Sequence, residues 1–471
     1  MTPVRRVATI AVILLLLVAG GLLDRRAPPR SSAEEAPPVP VAAAADARSS
    51  AWYCAGATAK DGAADGTVVV ANAGARSLRG TLTAFPNNGP PKARPISVGP
   101  ASRAAVPLAE VANAPFVSAL VELDGGEAVV ELAVTGPLGS SGTPCASAAS
   151  SEWYFADGTT TRDATSVLFL FNPFPDDAVV DIVFGTEEGP ITPQALTGLT
   201  VRGGALTTLN MGEFVQRREQ ATTSLRARAG RLVASRLQTF DGSGGRKGMA
   251  LTLGAAAPGD LWYLPEGVVN DGLTQRYQIF NPTEREAEVE VALALESGEA
   301  EPLTVTVPGE SRVTVNANDE ARIPKGVPHA ATVRSLNGVG VVVERTIDAA
   351  PAAKRTGLAD AFGSRVTARR WCLAAGAADD STDEFVVLQN PGPGPARVSL
   401  AVLADGDRLT GDALQNVEVG AGQRRSVRIA NVVKRAATPV VVEADRPVVV
   451  ERVLNRLKGI GVATSIGIPL R

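Results

Sequence analysis

Trp153-Tyr154-Phe155-Ala156-Asp157-Gly158 and, 109 residues later, Trp262-Tyr263-Leu264-Pro265-Glu266-Gly267 are the stretches whose reading decides the fold. The chain holds only 4 tryptophans, and the other two open the same kind of stretch, Trp52-Tyr53-Cys54 and Trp371-Cys372-Leu373. A rare, large side chain recurring at near-constant spacing marks a fourfold internal repeat. About twenty residues after each Trp an apolar run ends in Asn. These runs are Val68 to Asn72, Leu168 to Asn172, Tyr277 to Asn281 and Val386 to Asn390, and Pro follows Asn172, Asn281 and Asn390. Asn-Pro after such a run reads as a strand that stops at a turn, because Pro removes a ladder donor and Asn caps the turn with its own side chain.

Roughly sixty residues beyond each Asn comes a third landmark. Val343-Glu344-Arg345 and Val450-Glu451-Arg452 share a register with the looser Ala234-Ser235-Arg236, and Val130-Glu131-Leu132 is the degenerate version. Glu and Arg adjacent on a strand point to opposite faces, so they do not pair with each other. Arg236, Arg345 and Arg452 are therefore expected to bridge to a neighbouring strand or repeat, or to contact a ligand. Gly248-Met249-Ala250, Gly357-Leu358-Ala359 and Gly461-Val462-Ala463 close the last three repeats.

Between the landmarks the pattern alternates, as in Ala287-Glu288-Val289-Glu290-Val291. Period 2 places one face in a core and the other in water. Each unit of about 100 residues has the rhythm of some seven short strands, that of an immunoglobulin-like sandwich. A four-bladed propeller is the competing repeat architecture, but its blades need only ~40–50 residues. The expected fold is all-β: four tandem sandwiches at 52–151, 152–260, 261–369 and 370–471, forming a rod. A short helical stretch is expected in each, best seen at Met211 to Val215 and Ala430 to Val433.

Val7 to Leu23 is an unbroken apolar run, preceded by Arg5 and Arg6 and followed by Asp24, Arg25 and Arg26. As a helix it spans about 26 Å at ~1.5 Å per residue, close to a hydrocarbon core. Residues 1–26 read as a signal-anchor that crosses the membrane once; a cleaved signal peptide has the same layout. Residues 27–51, rich in Pro and Ala, read as a semi-extended stalk. The bulk of the chain is then extracytoplasmic. An oxidising compartment suits a disulfide between Cys54, near the start of the first repeat, and Cys145, near its end; two buried thiols are the alternative. Cys372 is left over as a buried thiol.

The 46 basic residues are spread against 49 acidic ones, for a net charge of −3. No basic stripe is visible, which disfavours nucleic acid. The one histidine, His329, has nothing nearby in sequence to orient it as a base and reads as a turn or strand-edge residue. Zinc sites built from Cys and His clusters are excluded by count, and no cofactor or metal motif is present. The acidic pairs Asp176-Asp177, Glu187-Glu188 and Asp379-Asp380 read as solvated turns. Trp52, Trp153, Trp262 and Trp371, with Tyr53, Tyr154 and Tyr263, are either core residues at the start of each first strand or a row of platforms for sugar rings.

The signal-anchor, the stalk, the two Trp-Tyr-x-Ala/Pro-x-Gly starts and the Asn-Pro blocks resemble an uncharacterised family of actinobacterial membrane-anchored proteins. The resemblance spans about 52–471 and implies no activity. Asn72-Ala73 and Leu132 depart from its pattern. The expected function is non-enzymatic: an anchored envelope protein that binds or scaffolds other envelope proteins or cell-wall polysaccharide. Glycan binding through the Trp and Tyr side chains is the alternative.

Overall fold

The structure, a computed structural model, describes residues 39–58, 64–296 and 300–471. The expected anchor, residues 1–26, and the stalk as far as residue 38 lie outside the described residues. Among the described residues no helix is long and apolar enough to cross a membrane. The fold is all-β, with several sheets and, among the described residues, only single-turn 3-10 segments between strands, such as Leu108–Glu110, Met211–Glu213 and Ile429–Asn431. The last two lie where the short helical stretches were expected.

The first Trp-led segment shows the plan. It contains β1 (Ser50–Cys54), β2 (Asp65–Asn72), β3 (Leu78–Pro86), β4 (Lys92–Val98), β5 (Ser102–Pro107), β6 (Val117–Leu123), β7 (Ala128–Gly136) and β8 (Gly139–Pro144). They form two antiparallel sheets, ordered β1-β6-β3-β4 and β5-β2-β7-β8. The segment that begins near Trp262 repeats the same two orders with Leu261–Leu264 in the place of β1 and Gly357–Phe362 in that of β8. In the last segment the 17-residue strand Val440–Arg456 serves both sheets, replacing β6 and β7 together. The odd-even burial of Ala287–Leu295 is what period 2 requires of a strand with one face on a core.

Every Asn of the repeat is a turn cap. Asn72, Asn172, Asn281 and Asn390 are fully buried. In each, Nδ2 donates to the carbonyl four residues on, at Arg76, Asp176, Arg285 and Gly394. Oδ1 accepts from the N–H two residues on, at Gly74, Phe174, Thr283 and Gly392. A third bond reaches across to the end of the strand equivalent to β4. One amide thereby satisfies two chain reversals that would otherwise bury unpaired backbone groups.

Cys54 and Cys145 are disulfide-bonded across 91 residues. Replacing both by Ser is expected to cost ~2–5 kcal/mol, read as a lower denaturation midpoint. An unchanged midpoint would mean that the bond only follows the fold. Cys372 is buried and free, and burial pushes its thiol well above the usual range.

Two expectations need correction. First, residues 39–47 are not a stalk but a docked strap. Ala42 pairs in parallel with Leu470, and its N–H donates to Pro469 O at 3.0 Å. Val41 N–H donates to Ser147 Oγ, and Glu127 N–H donates to Ala43 O. Second, the described residues of the first segment form eight strands rather than some seven. The sequence left open whether the segments run straight or close on themselves: from residue 39 onward the described residues form one compact unit, and the first and last segments touch. Arg370 pairs with Glu127, Arg452 with Glu131, and Arg408 donates to Ala73 O.

The Gly-rich closing segments explain how the body closes. β8, Lys247–Leu253, Gly357–Phe362 and Val462–Ile466 adjoin one another in that cyclic order. A Cβ at Gly248 would lie 2.4 Å from Leu358 N, and one at Gly357 would lie 2.6 Å from Val462 N. Only a residue without a side chain permits that approach. Gly357→Ala should therefore destabilise by ~1–3 kcal/mol through overpacking, seen as a lower thermal midpoint; a neutral result would show that the strands have room to part.

Candidate functional site: buried ion pairs between segments

The Glu and Arg of the third landmark lie on β7 and its counterparts, next to the strands that meet at the centre. Strand alternation turns Glu toward the preceding segment and Arg toward the following one. Arg236 of the second segment reaches Glu344 of the third, with Nη2 3.3 Å from Oε1, and also contacts Asp360. Arg345 of the third forks onto Glu451 of the fourth at 2.9 and 2.5 Å. Arg452 of the fourth returns to Glu131 of the first at 2.5 Å. All of these side chains are buried.

Backbone groups add to each junction. Asp157 and Glu266, fifth residues of the Trp-led stretches, donate N–H to Glu344 and Glu451. Their carbonyls accept from Arg236 and Arg345. At the fourth–first junction Ala374 and Ala375 N–H both donate to Glu131. A second arginine, on β5 or its counterpart, braces each site: Arg312 on Asp157 at 3.0 Å, Arg424 on Glu266 at 2.7 Å, and Arg103 on Gly376 O at 3.3 Å.

The first–second junction lacks all of this, and it lacks it consistently. Leu132 stands for the Arg and Ser235 for the Glu it would have met. Leu206 stands for the second Arg, and Gly56 for the acidic residue. Ser235 Oγ donates to Ala55 O instead. The two segments share one apolar core, with Phe85 against Phe171 at 5.0 Å and Phe116 against Phe169 at 5.5 Å. The departures of the first segment are thus half of a compensated exchange whose other half lies in the second. A lone Arg or Glu there would be a buried charge without a counter-ion.

Electrostatics follow from burial. Desolvation pushes the carboxyls of Glu344 and Glu266 up against the pull of Arg236 and Arg424. Asp360 is pushed up to about 6 and Glu384, beside Arg452, to about 7, in both cases chiefly by burial. These pairs set the register between segments more than they add net stability, since buried charges lose much of their attraction to desolvation.

The other residues singled out in the sequence fall elsewhere. Trp52, Trp153, Trp262 and Trp371 are at most 2% exposed. Three indole N–H groups donate to carbonyls at Leu232, Val341 and Val448. A sugar platform needs an open ring face, and these rings have none. Tyr154 is buried as well, while Tyr53 and Tyr263 are half-buried. His329 does begin a strand, but it is buried, with Nε2 3.0 Å from Tyr277 Oη and 3.2 Å from Gln275 Nε2, and burial lowers it to about 4. The acidic pairs sit in turns, where Asp379 accepts from Ser381 and Glu188 pairs with Arg218. Among the described residues no group of three or more His, Cys, Asp or Glu is placed to hold a metal ion.

The sequence carried no sign of Asp157, Glu266, Asp360 or Glu384 as junction residues. Only the fifth-position acids recurred, in two Trp-led stretches. Asp360 and Glu384 look like ordinary polar positions on alternating strands.

Residues 127–337 match a family described as "Family of unknown function (DUF5719)". The match begins just before Glu131 and takes in the second segment, but it ends before Glu344 and Asp360 of the third. None of the curated proteins matches the chain. Among solved structures, Thermotoga maritima 1070 is 18% identical over 23% of this chain and 94% of its own, with a TM-score of 0.21. The Anabaena sensory rhodopsin transducer is 26% identical over 19% of this chain and 83% of its own, at 0.17. A tetra-tandem repeat from the extending region of a large adhesion protein is 14% identical over 84% and 92%, at 0.11. Likenesses at such scores carry no weight for fold or function.

Proposed function

We propose that this protein is a non-enzymatic binding or scaffold protein of the bacterial cell envelope, of actinobacterial type. Its four tandem immunoglobulin-like repeats are held outside the membrane by the uncleaved anchor at residues 1–26. One observation carries the reading. The charged residues that recur from segment to segment, Glu344, Arg345, Glu451, Arg452 and their counterparts, are buried and engaged in joining the segments. The recurring chemistry therefore supports assembly of the body, and a partner meets the variable outer surface. The Cys54–Cys145 bond supports an oxidising, extracytoplasmic setting, and the apolar run Val7 to Leu23 supports the anchor. Envelope proteins are the partners that fit best. Wall polysaccharide is the weaker reading because the aromatic side chains that would bind it are largely enclosed.

Two measurements test this. Protease added to intact cells should digest the body, and alkaline carbonate should leave the chain in the membrane pellet; a protected chain in the soluble fraction would end the proposal. Cross-linking in intact envelopes should then capture discrete proteins. Co-sedimentation of the chain with purified wall polysaccharide, without protein cross-links, would favour the glycan reading instead.

A further inference from the structure

The three ionic junctions are not equally complete. Opposite the residue that follows each Arg, the central strand of the same segment carries Asp360, Thr464 or Gly142. Each of these faces the Arg of the preceding segment. Arg236 Nη2 therefore meets the Asp360 carboxylate, and Arg345 Nη2 donates to Thr464 Oγ1 at 3.0 Å. Arg452 has Gly142 at that position, and glycine offers no oxygen there. The carbonyl contact is missing too: Asp157 O and Glu266 O accept from Arg236 and Arg345 Nη1, whereas Arg452 Nη1, buried, has no hydrogen-bond partner among the described residues. A guanidinium N–H so left is costly.

A cavity of about 150 Å³ opens at this junction, lined by Arg452, Arg456, Gly142, Ser141, Thr382 and Ser465. It has room for roughly five waters at ~30 Å³ each, and thus for a phosphate, sulfate or carboxylate group. A drug-sized ligand, at ~300 Å³ or more, does not fit. The surrounding charge favours an anion. Arg452, Arg456 and Arg103 stand against Glu131 and against Glu384, whose carboxyl is pushed up to about 7 chiefly by burial.

We propose that the fourth–first junction binds a small oxyanion in the space that Gly142 leaves open, one oxygen of which accepts from the unpartnered Nη1 of Arg452. Serine and threonine hydroxyls of the wall supply further donors, and Arg456 supplies the second cation. The ligand bridges the seam between the first and last segments and so stabilises closure of the body. It is either a free ion or a phosphate or carboxylate group on an envelope polymer.

The test uses the full chain in detergent, with inorganic phosphate, sulfate and acetate as probes in equilibrium dialysis. Saturable binding of at least one probe at one site per chain is expected, and it should raise the melting temperature. Gly142→Asp places the sister residue in the cavity. A Cβ at Gly142 would meet nothing closer than Leu132 O at 3.6 Å, so the variant should fold. It should lose affinity by about tenfold or more while melting no lower than the parent. Displacement of the bound probe by purified wall polymer assigns the ligand to the polymer, and absence of displacement assigns it to the free ion. The proposal is overturned if no probe saturates by roughly 10 mM, where binding would be worth under ~3 kcal/mol, or if folded Gly142→Asp binds as the parent does.

Discussion

Arg345→Leu should destabilise the body by ~3–5 kcal/mol, and adding Glu451→Ser should recover much of that loss. The single change removes a guanidinium that is 1% exposed and makes four contacts, two with Glu451 and one each with Glu266 O and Thr464. Glu451 is left buried with a single N–H partner, that of Glu266. The double change recreates the pair found at the first–second junction, Leu132 with Ser235, in which neither side carries charge. The measurement is a double-mutant cycle by urea denaturation. A coupling of ~2 kcal/mol or more is expected for residues in direct contact. If Glu451→Ser adds its own cost on top of Arg345→Leu, the two positions are not partners in the sense argued, and the joint loss at Leu132 and Ser235 is coincidence.

Glu384→Gln should stabilise the protein at pH 8 relative to pH 5, with a swing on the order of 3 kcal/mol. Glu384 is fully buried, and its folded-state carboxyl titrates at about 7 against an ordinary 4.5. A raised value means that the folded state holds the proton more tightly than the unfolded chain does. The contribution of Glu384 is thus complete below about 4.5 and is lost as pH rises through 7. Asp360, at about 6 against 3.8, acts in the same direction. His329 acts in the opposite one: lowered to about 4 from 6.5, it favours the unfolded chain on acidification below 6.5. The parent's own pH profile mixes these signs, so the difference between parent and Glu384→Gln is the quantity to read. Melting curves of both from pH 5 to 8 supply it. A constant difference across that range would show that Glu384 is ionised throughout, in a full ion pair with Arg452.

The pairing of Leu132 with Ser235 is a case that sequence reading notices but does not interpret. Leu132 is visible as a departure from Glu-Arg, and so is Ser235. Nothing in one dimension says that these two departures answer each other, because the residues are 103 positions apart and lie on strands of different segments. The same limit applies to the tryptophans. Their register marks the first strand of each segment, but a Trp at the start of a strand can stack on a sugar as well as fill a core. Only the sheets that close over it settle which.

From the sequence alone came the period, the strand content, the turn caps at Asn172, Asn281 and Asn390, the Cys54–Cys145 pair and the opposition of Glu and Arg across each strand. All of these follow from local rules: alternation along a strand, the missing donor of proline, the short reach of an Asn side chain. Closure of the body, the docking of residues 39–47 and the order in which each Arg finds the next segment's Glu were decided by tertiary structure. These depend on how closely the glycine-bearing strands approach at the centre, and on charges that meet only after the cores of the segments have been placed around them.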